Sequence, residues 1–158
     1  MVNLTIDGKQ ISVKENTTIM EAARLNDINI PKLCYLKDIN EIGACRICVV
    51  EADEGRGKRL VASCVYPITE GMQVYTNTPN VLESRKKTLQ LILSTHEKKC
   101  LSCVRSTNCE LQKLCNEYGV DELRFSGEKN KYKIDDATPI IRDNNKCILC
   151  RRCVAACK

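Results

Sequence analysis

All but one of the chain's twelve cysteines fall, together with its single histidine, into three sets of four, and any fold for this chain has to gather them. The first set is Cys34, Cys45, Cys48 and Cys64, spaced C-x10-C-x2-C-x15-C. The second is His96, Cys100, Cys103 and Cys109, spaced H-x3-C-x2-C-x5-C. The third is Cys147, Cys150, Cys153 and Cys157, spaced C-x2-C-x2-C-x3-C. Cys115 stands outside them, beside Leu111 and Leu114 in a short amphipathic stretch, as a buried free cysteine does.

Disulfides are one way to use so many cysteines, and they need an oxidising compartment. The opening MVNLTIDGKQ has no charged segment followed by an apolar one, so no secretory signal is read there. A cytoplasmic location with reduced thiols is therefore expected, and clustered cysteines then point to metal. Three-Cys-one-His and four-Cys zinc sites are a rival. Zinc signatures are strongest where two C-x2-C pairs face each other across about 12–20 residues, which is not the pattern here. Two ligands separated by two residues wrap one loop round a centre and turn backbone N–H groups toward the sulfurs, an arrangement that suits iron–sulfur clusters. Gly43 and Ala44 precede Cys45, where the chain must pass close to such a centre.

The third set is the most specific. Its spacing is the bacterial 4Fe–4S ferredoxin run, in which the first three cysteines hold one cluster and the fourth serves a neighbouring one. Either a second run follows and the chain is the front part of a longer polypeptide, which is the favoured reading, or Cys157 closes its own cluster; Lys158 stands where a proline is usual. In the second set, Cys100, Cys103 and Cys109 need a fourth ligand. His96, four residues before the C-x2-C, supplies it in preference to Cys115, although a lone histidine is more often an ordinary structural residue.

Val2–Ile6 alternates apolar and polar, Asp7-Gly8 marks a turn, and residues 10–14 continue the alternation, which is a hairpin signature. Thr18 and Glu21 fit a capping box opening a helix to about Leu25, with Ile19, Ala22, Ala23 and Leu25 on one face. Strands are expected over 46–52, 59–65 and 72–76. A helix is expected over 80–95, with Val81, Leu82, Leu89, Ile92 and Leu93 as its apolar positions, and a second over 109–118 closed by Gly119. Residues 126–138 read as a polar connection. The expected domains are 1–78, 79–125 and 126–158.

Residues 1–80 carry nine Lys/Arg against ten Asp/Glu, and residues 81–158 sixteen against ten. Basic side chains in the second half are read as offsetting anionic metal centres. Arg85-Lys86-Lys87 reads as a solvated helix face, and Lys129, Lys131 and Lys133 lie in the polar connection without the interleaved aromatics of a single-strand binder, so no nucleic-acid partner is expected. Arg151 and Arg152 compensate charge, tune a cluster or meet an acidic redox partner. No apolar run approaches the ~18 residues of a membrane helix. No phosphate loop, dinucleotide fingerprint or Ser/His/Asp set is present, so no catalytic residue is assigned.

IPKLCYL, GACRICVVE and ASC resemble the 2Fe–2S domain of the larger clostridial type of iron-only hydrogenase; HEKKCLSCVRSTNCELQKL resembles that family's His-ligated 4Fe–4S segment; and DNNKCILCRRCVAACK resembles the opening of its two-cluster ferredoxin domain. The resemblance covers the whole chain. It implies an α+β fold: a β-grasp 2Fe–2S ferredoxin-like domain, a small helical His/Cys 4Fe–4S domain, and the start of a bacterial-type 4Fe–4S ferredoxin domain. It also implies that Cys34, Cys45, Cys48 and Cys64 hold a 2Fe–2S cluster, that His96, Cys100, Cys103 and Cys109 hold a 4Fe–4S cluster, and that Cys147, Cys150 and Cys153 begin another, with Cys157 serving its neighbour. The implied function is a relay of single electrons between a carrier and a hydrogen-producing or hydrogen-oxidising site that lies outside this sequence. The implied partners are a ferredoxin-like soluble carrier or an NAD(P)H-oxidising flavoprotein subunit, and a hydrogenase catalytic domain. The same module fronts NAD-linked formate dehydrogenases and, with a different third set, the large iron–sulfur subunit of complex I. A zinc-stabilised interaction module is the alternative of another class.

Overall fold

Asp7 and Gly8 both take positive φ, 49° and 83°, the geometry of a two-residue type I′ turn, and the turn joins β1 (Val2–Ile6) to β2 (Lys9–Val13) in an antiparallel hairpin. The computed structural model describes every residue except Leu123, Asn130 and Lys158. The chain divides into two compact units, Met1–Arg85 with Arg151–Lys158, and Lys86–Cys150.

In the first unit, α1 (Ile19–Arg24) follows the hairpin, then a long loop, β3 (Val49–Asp53), β4 (Arg59–Ala62) and β5 (Gln73–Tyr75). The sheet order is β2-β1-β5-β3-β4, with β1 and β5 parallel and the other neighbours antiparallel, so the unit is α+β with a mixed sheet. Alternation puts Leu4, Ile6, Ile11, Val13, Val50, Ala52 and Val74 on the face that α1 covers with Ile19, Met20, Ala22 and Ala23. Leu25, expected on that buried face, is 56% exposed at the helix cap, and Met20 takes the interior place instead. Thr18 caps α1 by accepting from the Glu21 N–H at 3.3 Å, but the Glu21 carboxylate does not reach back: it accepts from Arg24 and Lys37, each at 2.7 Å.

The strands are shorter than their hydrophobic runs. β3 begins at Val49 and β4 ends at Ala62, so Arg46–Cys48 and Ser63–Val65 are turns rather than strand. The last helix-forming stretch of this unit is α4 (Arg152–Ala156).

α2 (Pro79–Thr95) starts in the first unit, where Asn80 donates to the Glu51 carboxylate at 2.9 Å and Val81 is buried. The sequence placed Arg85 on a solvated face; it is 1% exposed, with Nε and Nη2 donating to the Val49 carbonyl at 3.2 and 2.7 Å. Leu82, expected in the apolar stripe, is 41% exposed.

In the second unit, Leu89 and Gln90 of α2 are buried, and Gln90 donates to the Glu122 carbonyl. α3 (Glu110–Glu117) buries Leu111, Leu114 and Cys115. It ends in a Schellman motif, with Gly119 N–H on the Asn116 carbonyl at 3.2 Å and Val120 N–H on the Cys115 carbonyl at 2.9 Å. Gly127 lies so close to the end of α2 that a Cβ there would stand 2.8 Å from Thr95 Cγ2. Among the described residues no helix is long and apolar enough to cross a membrane.

Candidate iron–sulfur ligand sites

Cys34, Cys48 and Cys64 are buried and Cys45 is half-buried. They come from the loop after α1, the turn before β3 and the turn after β4, and the sheet brings those segments together. Cys48 Sγ and Cys64 Sγ are 3.3 Å apart, and Cys45 N–H donates to Cys34 Sγ at 3.5 Å. The set is thus two contacting pairs, Cys34 with Cys45 and Cys48 with Cys64. Ser63 locks the second pair: its N–H and hydroxyl both donate to the Cys48 carbonyl, at 3.2 and 2.7 Å. Within each pair the shared hydrogen bond drives the two thiols apart in acidity. Hydrogen bonding from Cys34 holds Cys45 below the usual thiol range against the opposing effect of burial, and backbone N–H groups led by Ile47 add to the lowering. Cys34 is pushed up by the hydrogen bond between the two thiols and by burial, against the Cys45 backbone N–H, which lowers it. In the other pair Cys48 is held low by Cys64, and Cys64 is pushed up by Cys48. Among the described residues, no three His, Cys, Asp or Glu side chains stand close enough together to hold one metal ion.

The loop passing this set needs its glycine. Gly43 has φ +64°, and a Cβ there would meet Val65 Cγ2 at 3.2 Å, so a side chain would be both strained and crowded. Arg152 donates to the carbonyl of Tyr35, the residue after Cys34, at 3.3 Å.

In the second unit, His96 follows the end of α2 by one residue and is half-buried. Its Nδ1 is buried with no hydrogen-bond partner, and burial lowers its pKa, which favours the neutral imidazole a metal needs. Cys100 opens a 3₁₀ turn (Cys100–Ser102) and is exposed; Cys103 and Cys109 are half-buried, and Cys109 sits at the N-cap of α3. Cys115 lies near enough to Cys109 and Cys100 to feel their charge; its thiol is pushed up to about 11, mainly by burial.

Of the third set, Cys147, Cys153 and Cys157 are exposed and Cys150 is half-buried. Leu149 N–H donates to Cys147 Sγ at 3.4 Å. Asn145, which sequence reasoning missed, organises the approach to Cys147. Its side chain accepts from the Tyr132 N–H and donates to the Tyr132 carbonyl, both at 2.9 Å, and its own carbonyl accepts from the Glu97 N–H at 3.4 Å.

One backbone feature runs through all three sets. Among the described residues, eight non-glycines have positive φ, and four of them are Asp or Asn, which tolerate that conformation. The others are Arg46, Thr107, Leu149 and Arg151, and each lies between cysteines of one set. Such conformations cost of order 1–3 kcal/mol each and persist where something else over-determines the loop. The orphaned imidazole nitrogen, the N–H groups aimed at sulfur, the paired thiols and these curled loops all suit inorganic clusters held by thiolates.

A family described as "2Fe-2S iron-sulfur cluster binding domain" matches residues 1–79, and one described as "NADH-ubiquinone oxidoreductase-G iron-sulfur binding region" matches residues 85–124. The chain is 47% identical over 163 residues to the NADP-reducing hydrogenase subunit HndD of Solidesulfovibrio fructosivorans, covering 99% of this chain and 28% of that protein. It is 36% identical to the NADH-ubiquinone oxidoreductase 75 kDa subunit of Reclinomonas americana, covering 98% of this chain and 22% of that one. A crystal structure of an NAD+-reducing [NiFe]-hydrogenase in the H2-reduced state superposes with a TM-score of 0.90 at 33% identity, over 98% of this chain and 65% of the chain it matches. The chain therefore spans less than a third of the length of these two sequence relatives.

Proposed function

The chain belongs to the family of 2Fe–2S iron–sulfur cluster binding domains over residues 1–79, and on that premise we propose that it is the electron-entry module of an NAD(P)-linked oxidoreductase, a hydrogenase or a complex I-like enzyme. The observation that carries this reading is the buried first set, whose four thiols stand as two contacting pairs. A two-iron cluster needs two thiolates per iron. Cys34 and Cys45 would hold one iron, and Cys48 and Cys64 the other. Such a cluster supplies storage for one electron at a time. The chain's own residues do the rest: they desolvate the site, hold the sulfurs in register through Ser63, and present backbone N–H groups to the thiolates, which sets the potential.

His96, Cys100, Cys103 and Cys109 would hold a 4Fe–4S cluster, and the buried, partnerless Nδ1 of His96 supports the imidazole as fourth ligand. Cys147, Cys150 and Cys153 would hold a third cluster, with Cys157 directed to a further one. Residues 79–125 and 126–158 would be the second and third domains around these centres. The partners would be an NAD(P)H-oxidising flavoprotein subunit or a ferredoxin-like carrier on one side and a catalytic domain on the other. The relatives' names support an NAD(P)-linked hydrogenase or complex I-like parent enzyme better than the iron-only hydrogenase that the sequence resembles. The match to a 2Fe–2S cluster binding domain favours iron over a zinc interaction module.

The test is an anaerobic preparation assayed for iron, zinc and acid-labile sulfide, with EPR after dithionite reduction. Iron and sulfide in near-equal amounts, with both two-iron and four-iron signals, are expected. A colourless zinc protein without labile sulfide would falsify the reading.

A further inference from the structure

Arg85 is among the largest fully buried side chains of the molecule, and a buried guanidinium is costly unless something offsets its charge. It reaches the first unit from α2 and donates twice to the carbonyl of Val49. Val49 follows Cys48 directly, and the Cys48 carbonyl is itself held by Ser63. The fixed cation is thus tied to the first residue of β3, one peptide from a thiol of the buried set. On the same strand Glu51, 5% exposed, accepts from Asn80, so a carboxylate also faces α2 two residues further on. Arg152 brings a second guanidinium to the carbonyl after Cys34.

A cluster held by four thiolates is anionic and gains a further negative charge when it takes an electron. A cation fixed in low dielectric favours that reduction, and an anion opposes it. We propose that Arg85 is a positioning and charge-compensating residue for the two-iron centre of Cys34, Cys45, Cys48 and Cys64, fixing the Cys48–Val49 segment and raising the centre's reduction potential. The proposal rests on the two-iron reading given above.

The experiment is a redox titration of the full chain, following the two-iron EPR signal in the wild type and in Arg85→Lys, Arg85→Gln and Glu51→Gln. The expected result is a fall in midpoint potential for Arg85→Gln, a potential near wild type for Arg85→Lys, and a rise for Glu51→Gln. A purely structural role would change thermal stability without opposite-signed potential shifts. Equal potentials in all four proteins, or equal falls in both Arg85 variants, would overturn the proposal. If Arg85→Gln does not assemble the centre, Arg85→His decides: a midpoint potential that falls as pH rises through the imidazole range, beyond any change in the wild type, supports the charge role, and a potential without that added pH dependence overturns it. A wild-type chain without any two-iron signal would remove the site reading itself, and this proposal with it.

Discussion

In residues 34–64 tertiary structure pairs the thiols, whereas in residues 96–150 the candidate ligands are neighbours along the chain. Cys34, Cys48 and Cys64 are buried, and the sheet pairing of β3 with β4 sets Cys48 against Cys64 across sixteen residues of sequence. In the second unit the cysteines proposed as ligands are half-buried or exposed and sit in a 3₁₀ turn, at a helix cap and in curled loops, and only Cys115, outside those sets, is buried. The first arrangement is built by a core that would fold for its own reasons. On the proposed reading the second has little to hold it except the centre it would bind, and there metal binding and folding would be one free energy.

The sharpest way to break this comparison is Cys64→Ala. It should abolish the two-iron signal while leaving the four-iron signals, because the two regions assemble separately. Loss of every signal would show that the centres depend on each other. Next comes removal of iron by an anaerobic chelator, read by hydrogen exchange. Amides of β1, β3 and β5 should keep their protection within about tenfold, while residues 97–150 lose about a hundredfold or more. Equal losses in both regions would sink the distinction. Third, His96→Cys replaces a neutral ligand by an anionic one, and the potential of one four-iron centre should fall by on the order of 100 mV. An unchanged potential would remove His96 from the ligand set.

Two smaller effects sharpen the account of the first unit. Gly43→Ala should cost about 1–3 kcal/mol in urea unfolding. Gly55→Ala, also at positive φ (84°) but with nothing within 4 Å of the added Cβ, should cost less, and the difference measures the crowding against Val65. Glu21→Gln should cost about 1 kcal/mol, since Arg24 and Lys37 are largely exposed partners. The hydrogen bond from Arg24, ahead of the contribution from Lys37, holds the Glu21 carboxyl at about 2 in the folded protein against an ordinary value of 4.5. The carboxylate therefore stabilises fully above about pH 5, and that contribution fades as pH falls toward 2. The gap between wild type and variant should narrow from pH 6 to pH 3; a constant gap would assign the effect to packing.

The hairpin, the helix starts and the grouping of the cysteines were legible because each rests on local chemistry: Asp7-Gly8 fixes a turn, Thr18 caps a helix, and C-x2-C keeps two thiols on one loop. What escaped the sequence depends on distant partners. Arg85 looks like its neighbours Lys86 and Lys87 until β3 supplies a carbonyl for it. Glu21 had two possible uses, and Lys37, sixteen residues away, helped to decide between them. The hydrophobic runs of β3 and β4 outlast the strands because Cys48 and Ser63 turn out of the ladder to form the site. The meeting of Cys48 with Cys64 is a property of sheet register, which spacing does not encode.

The parallel pairing of β1 with β5 joins the first residues of the chain to residues 73–74. A growing polypeptide therefore cannot complete this sheet until the segment carrying all four thiols of the first set has already been made. Long-range closure of this kind is slow compared with forming a hairpin or a helix. During that interval Cys34 and Cys64, enclosed in the finished protein, are open to the surrounding solution. The biosynthetic consequence is a period in which the thiols proposed to hold the two-iron centre stand open before the sheet shuts.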